Sequence, residues 1–232
     1  MTRLPAAVLW DMDGTIVDTE PYFTDALTTV VESSGGTFSD DDHHALIGAN
    51  LWDMAATAIK AGARCEAHDI INDVVAAVQQ RLRHGIPWRP GALELLQELR
   101  AARVPTALVT MSFRGIADAV VRGIPFDAFD AIVTGEDVEH GKPAPDAYLR
   151  AADLLKADIT RCIVIEDSPP GVAAGVAAGA TVVAVPFYIR LPDSNAYTMW
   201  DTLTGKDPST LAQAATPRST STDGAPRRRR TP

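Results

Sequence analysis

The sequence is short of cysteine, of long apolar runs and of positive charge, and each shortage removes a class of function. Only Cys65 and Cys162 occur among 232 residues. They are far apart and neither has a second thiol nearby, which excludes a disulfide framework and a Cys-based zinc site. No run is apolar enough for a membrane span: the nearest approach, 171 to 187, is largely Ala and Gly, contains Thr181 and reaches Pro186. It reads as a helix followed by a strand. The apolar start from Ala6 to Trp10 is only five residues long and ends at Asp11. That is too little for a signal peptide, so the expected setting is the reducing cytoplasm, away from membranes.

Lys and Arg number 21 against 30 Asp and Glu, a net charge of −9. An acidic body does not suit a phosphate backbone, and no nucleic-acid partner is expected. The local exception is the end of the chain. Residues 216–232 carry Arg218 and Arg227 to Arg230 against Asp223, a net +4 that leaves −13 for the remainder. Their Ser, Thr, Pro and Arg composition reads as a disordered basic tail. The five histidines are scattered or, as His43-His44, follow three aspartates in a polar turn, and offer no metal-binding spacing.

What is present is an alternation of short apolar runs with longer helical patterns. Ala7 to Trp10, Thr106 to Val109, Ala131 to Val133, Cys162 to Ile165 and Thr181 to Val185 are continuous and rich in β-branched residues, as strands buried on both faces are. Helical patterns lie between them, at 91–102 with Leu93, Leu96 and Leu99, and at 144–155 after Pro143. This order predicts an α/β, Rossmann-like parallel sheet. Residues 18–88 break it, because they offer helices without a strand, most clearly from His68 to His84 with Gly85 at the stop. The division expected is a discontinuous α/β core (1–17 and 89–215), an inserted helical domain (18–88) and the tail (216–232). Gly171, Gly175 and Gly179, four residues apart, are expected to let one helix lie close on the sheet.

In an open parallel sheet, ligands bind beyond the carboxyl ends of the strands. Here Asp11 and Asp13 follow the first strand, Thr110 and Ser112 the second, and Glu166, Asp167 and Ser168 the fourth. Carboxylates crowded at one edge repel unless a cation lies among them, and an all-oxygen site of this kind suits Mg²⁺. A metal beside a free carboxylate makes a nucleophilic site for phosphoryl transfer. Asp11 is the candidate nucleophile, and Asp13, brought back by a turn at Gly14, the candidate acid and base. Thr110, Ser112 and Lys142 are the groups to hold phosphoryl oxygens.

These residues fall in four motifs: Asp11-Met12-Asp13-Gly14-Thr15, Ala107-Leu108-Val109-Thr110, Gly141-Lys142-Pro143, and Glu166-Asp167-Ser168 with Gly171. In this order they resemble the haloacid dehalogenase superfamily over about residues 6–186. The likeness is to subfamily I hydrolases with a helical C1 cap, in the β-phosphoglucomutase and phosphatase branch. The resemblance implies Mg²⁺ held by Asp11, the main-chain carbonyl of Asp13 and Asp167, with Glu166 in or beside that set. It also implies a phospho-aspartate on Asp11, a small phosphorylated metabolite as substrate, and a cap hinged near Val17 and Trp88.

The alternative within the branch is a β-phosphoglucomutase-like sugar phosphomutase. Such mutases place a His ten residues after the acid/base Asp and a Lys-Gly-x-x-Arg loop in the cap. This sequence has Phe23 and Ile47-Gly48-Ala49-Asn50-Leu51 there, without the groups that would hold a second phosphate. Hydrolysis of a small phosphate monoester is therefore the function expected. A non-catalytic phosphate-binding regulator would replace the nucleophile, and Asp11 is intact. Glu20, Tyr22, Asn50 and Trp52 are the insertion's candidates for contact with the substrate. Oligomeric state is not encoded in any of these patterns.

Overall fold

The computed structural model describes residues 4–46 and 49–214. The tail expected at 216–232, and Ile47 and Gly48 of the insertion, lie outside the described residues. Six parallel strands form one sheet: β1 (Ala7–Trp10), β2 (Thr106–Val109), β3 (Ala131–Val133), β4 (Cys162–Glu166), β5 (Thr181–Ala184) and β6 (Thr198–Met199). Their order is β3-β2-β1-β4-β5-β6. The order reverses between β1 and β4, which leaves a crevice at the carboxyl ends of these strands. Trp10 is in register with both Leu108 and Ile165, so Asp11, Val109 and Glu166 arrive at one level.

Alternate residues of each strand face opposite layers, although every residue of β1, β2 and β4 is buried. Val8, Trp10, Leu108 and Ile165 pack against α5 (Ala92–Ala101), α6 (Arg114–Gly123) and α9 (Pro208–Ala214), through Leu96, Ile116 and Leu211. Leu9, Val109 and Val164 pack against α7 (Asp146–Leu154) and α8 (Pro169–Ala177), through Tyr148, Ala151 and Val172. Each large aliphatic group so buried contributes about 1.5–3 kcal/mol.

Between β1 and α5 come α1 (Glu20–Ser33), α2 (Asp40–Leu46), α3 (Leu51–Lys60) and α4 (Ala67–His84). The long helix is α4, where Ile70, Ile71, Val74, Val78 and Leu82 form the buried stripe that the sequence predicts. It lies against α1 and α3. The chain leaves the sheet and returns to it side by side: Val17 bridges Trp88, Asp18 N donates to Pro87 O (2.9 Å) and Arg89 N donates to Ile16 O (2.8 Å).

Three expectations need correction. The helix after Pro143 begins only at Asp146, so Lys142 stands on irregular chain rather than at a helix terminus. The two-residue edge strand β6 has no apolar run to announce it. Of the three spaced glycines, only Gly175 serves packing on the sheet, where a Cβ would come within 2.8 Å of Val182 and 3.0 Å of Val164. Gly179 has φ +85° with open space around it, and Gly171 faces Glu166. α9 starts at Pro208, with Asp207 Oδ1 accepting from Thr210 N (2.7 Å).

Gly91, before α5, has φ +84°, and a Cβ there would sit 2.3 Å from main-chain atoms of Leu203 and Thr204. Gly205 has φ +72° but nothing near its missing Cβ. Gly91→Ala should therefore lower stability by at least ~2 kcal/mol, a loss of ~4–8 °C in Tm, and Gly205→Ala by only ~1 kcal/mol. Thermal denaturation of the two variants measures the difference.

Candidate active site

The site grows from the ends of three adjacent strands. Asp11 continues β1, its amide donating to Ile165 O of β4 (3.0 Å). The amides of Ile16 and Val17 then turn back onto Met12 O, and Gly14 N donates to Val17 O (2.7 Å), which returns Asp13 to the same edge. Gly14 is required twice over: its φ is +85°, and a Cβ would lie 2.1 Å from Asp167 Oδ2.

At the centre Lys142, with a side chain only 5% exposed, lies between two carboxylates. Its Nζ donates to Asp11 Oδ1 (2.6 Å), Glu166 Oε1 (2.6 Å) and Val109 O (3.0 Å). These three bonds use all the N–H groups of an ammonium. Burial alone would lower the pKa of Lys142, but Asp11 and then Glu166 outweigh it and hold the group above its ordinary value.

Glu166 is fully buried and saturated. Oε1 accepts from Lys142 and from Tyr148 OH (2.7 Å), and Oε2 from Asp167 N, Ser168 N and Ser168 Oγ at 3.1–3.3 Å. Gly171 is where it is because a Cβ would fall 1.8 Å from Glu166 Oε1. Glu166 is expected in or beside the metal set. It does lie in the cluster with Asp11 and Asp167, whose nearest oxygens are within 4.8 Å of one another, but its own oxygens already have donors.

The oxygens left over are Asp11 Oδ2 and Asp167 Oδ1, both buried and without a hydrogen-bond partner. Burial pushes both carboxyl groups up from the usual carboxylate range, with Glu166 the next cause for Asp11, and Asp11 the next for Asp167. Two buried orphan oxygens in one acidic cluster fit a divalent, oxygen-loving cation. No other cluster of metal-ligating side chains exists among the described residues, and no histidine belongs to one.

Asp13 accepts three hydroxyl bonds, from Thr19 Oγ1 (2.5 Å) to Oδ1 and from Thr110 Oγ1 (3.0 Å) and Ser112 Oγ (2.8 Å) to Oδ2. Thr110 and Ser112, expected as phosphate contacts, are thus oriented by Asp13, and Thr110 Oγ1 also accepts from Ser112 N (2.9 Å).

A cavity of about 310 Å³ opens over these groups, and Asp11, Asp13, Thr110, Ser112, Lys142 and Asp167 all line it. Glu20, at the start of α1, lines it too. Its Oε1 is buried without a partner, and burial, followed by Asp13 and Asp18, pushes its carboxyl up to about 7. Asn50 also lines it, but its Oδ1 caps α3 by accepting from Trp52 N and Asp53 N (both 3.0 Å). Tyr22 and Trp52 do not reach the cavity: Tyr22 stacks under Arg81, and Trp52 is 55% exposed on the outside of α3. Phe23, Leu51, Asp53, Met54, Tyr188 and Ile189 line it unannounced, as does Met111, while Tyr148 supports it from beneath. The signal for Phe23, Leu51 and Met54 was their place on helical faces, which does not separate core from cavity. The cysteines take no part: Cys65 is exposed, and burial, then Asp158, pushes the Cys162 thiol up to about 11. No described helix is long and apolar enough to cross a membrane.

A family model described as haloacid dehalogenase-like hydrolase matches residues 5–179. The chain is 37% identical over 186 residues to hexitol phosphatase A of Escherichia coli (strain K12), across 76% of this chain and 81% of that protein. It is 33% identical over 189 residues to a bifunctional riboflavin kinase/FMN phosphatase of Arabidopsis thaliana, across 80% of this chain but 50% of that longer protein. Among solved structures, CbbY of Rhodobacter sphaeroides in complex with xylulose-(1,5)bisphosphate matches with a TM-score of 0.81. That match covers 90% of this chain and 99% of the other, and at 24% identity it establishes the fold.

Lys142 is the countercharge for two buried anions, so Lys142→Ala should cost more than a cavity of its size. The expected loss is ~3–5 kcal/mol, read as a fall of at least ~6 °C in Tm. A Tm unchanged within 2 °C would show that the network is not buried as described.

Proposed function

We propose that this chain, which belongs to the haloacid dehalogenase-like hydrolase family, is a magnesium-dependent phosphatase acting on a small phosphate monoester through a phospho-aspartate on Asp11. The observation that carries this reading is the division of labour between the two oxygens of Asp11: Oδ1 is held at 2.6 Å by Lys142, while Oδ2 is buried without a donor in the cluster with Glu166 and Asp167. Asp11 Oδ2 and Asp167 Oδ1, with the main-chain carbonyl of Asp13, are the oxygens that would hold Mg²⁺. When bound, the ion offsets the repulsion between the anionic nucleophile and the anionic ester.

The residues of the chain do the rest. Asp11 Oδ1 attacks phosphorus, forming an acyl phosphate as the bond to the ester oxygen breaks. Asp13 stands three hydroxyl bonds away from free rotation, oriented to give its proton to the departing alkoxide. Lys142 balances charge on Asp11 and on the phosphoryl oxygens, and Tyr148 and Ser168 keep Glu166 in place to hold Lys142. Asp13 then takes a proton from water as that water attacks the phosphorus, which frees Asp11 and releases inorganic phosphate. Thr110 and Ser112 contact phosphoryl oxygens only if they turn from Asp13, and the simpler role is to aim it.

The division into an α/β core and a cap over 18–88 has the support of the double crossing at Val17 and Trp88, where the chain leaves and re-enters the core beside Asp13, while α4 also packs on α6. The cap then shields the intermediate from bulk water while it admits the one that hydrolyses it. Among the described residues lining the cavity nothing favours the phosphomutase alternative, and both curated relatives reported above carry phosphatase in their names.

Release of inorganic phosphate from a panel of phosphorylated metabolites, with and without Mg²⁺, tests the reading. Asp11→Asn should lower kcat by at least ~10³-fold and Asp13→Asn by ~10²–10⁴-fold, with both proteins folded by circular dichroism. Full activity without a divalent cation, or in Asp11→Asn, would sink the proposal.

A further inference from the structure

The loop after β5 touches both linkers of the crossing at Val17 and Trp88. It leaves the sheet from a fixed point, where Val185 N donates to Glu166 O (2.7 Å). Its far end is pinned by Leu191, 3% exposed, in the layer of Leu9 and Val164. Between these anchors Phe187 and Tyr188 stand at the surface with their ring centroids 4.4 Å apart. Tyr188 OH donates to Asp18 Oδ1 (2.7 Å), on the chain leaving the core. On the chain coming back, Cζ of Arg89 lies 3.4 Å from the centroid of the Phe187 ring. Two adjacent side chains thus hold the two linkers, one each. The linkers also carry opposite charges: burial lowers the pKa of Arg89, and Asp18 and then Asp167 are the anions that oppose it.

We propose that Phe187 and Tyr188 form a strap that fastens both cap linkers to the end of β5, and that Tyr188 is thereby a positioning residue for Asp13. Asp18 is followed directly by Thr19, a fully buried residue whose hydroxyl donates to Asp13 Oδ1 (2.5 Å). By fixing Asp18, the Tyr188 hydroxyl sets Thr19 and so the aim of the acid and base. Tyr188 and Ile189 also line the cavity, which makes the strap the core's share of the outer wall. The aim of Asp13 rests on the phosphatase reading, whereas the fastening of the linkers does not. The bridge between Val17 and Trp88 ties one linker to the other, while the strap ties both to a third point and so resists rotation about the bridge. One exposed hydrogen bond and one cation–π contact are each small. The strap therefore biases the linkers without locking them, and the cap stays free to open for substrate.

Tyr188→Phe removes the hydroxyl and keeps the ring. The amides of Asp18 and Arg89 donate across the crossing to Pro87 O and Ile16 O, and their exchange with deuterium can be followed by NMR. Relative to the amides of β4, both should exchange ~2–10-fold faster than in the wild type, on the order of one hydrogen bond. Asp18→Ala should do the same, and adding Tyr188→Phe to it should change nothing further. For Asp13 the measurement is kcat/KM with Mg²⁺ for phenyl phosphate against p-nitrophenyl phosphate, because phenolate needs a proton to depart and nitrophenolate leaves readily without one. Tyr188→Phe should lower the phenyl value at least ~3-fold more than the nitrophenyl value. Linker exchange changed less than ~2-fold, or a change confined to residues 186–191, overturns the strap. Faster linker exchange with an unmoved ester ratio overturns the positioning of Asp13. If the wild type turns over neither ester, the phosphatase reading fails, and the exchange rates still decide the strap.

Discussion

The structure depends on one buried ammonium. Lys142 binds Asp11 from β1 and Glu166 from β4, the strands between which the sheet order reverses, and it also binds the last carbonyl of β2. Like charges arriving at adjacent strand ends would force this edge apart or draw water into it. With Lys142 in place, the edge closes and leaves Asp11 Oδ2 and Asp167 Oδ1 as buried oxygens without a donor. The surrounding residues follow from this choice. Tyr148 and Ser168 saturate Glu166 so that it cannot turn away. Gly171 and Gly14 lack a Cβ because Glu166 and Asp167 occupy the space.

The acidic cluster also explains why the hydroxyls of Thr19, Thr110 and Ser112 converge on Asp13. Three neutral donors from two segments hold that carboxyl at a fixed angle without adding a cation that would compete with Lys142. Orientation and charge balance are therefore assigned to different groups.

Much of this was legible because the sheet is fully buried. Continuous apolar runs marked β1 to β5 nearly to the residue, and the polar residues after the first, second and fourth runs marked the site edge. What escaped has physical reasons. β6 is a two-residue edge strand held by the neighbouring ladder, and a sequence window cannot see a neighbour. Spacing of four suggested one role for Gly171, Gly175 and Gly179, but each answers to a different atom: a carboxylate, two valines, or its own backbone angle. Asn50 looked like a substrate contact because it is polar and in the insertion, yet the start of α3 claims its side-chain oxygen. Lys142 was found through its motif, while its partners required tertiary structure. Tyr148, an aromatic at an ordinary helical position, gave no signal that its hydroxyl would reach Glu166.

The double crossing at Val17 and Trp88 has a consequence for how such a chain changes over time. Because both ends of the inserted helices meet within one bridge, the sheet experiences the whole insertion as a short closed loop, whatever its length or content. α1 packs on α4, so the insertion carries most of its own cohesion. Residues on its inner wall can therefore be exchanged, or helices lengthened, at little cost to the strand ends that hold Asp11 and Asp13. The fold thus divides the walls of the cavity: one is fixed where three strands end, and the other is carried by helices that the chain enters and leaves at one bridge and that lean on the core through α4 and α6.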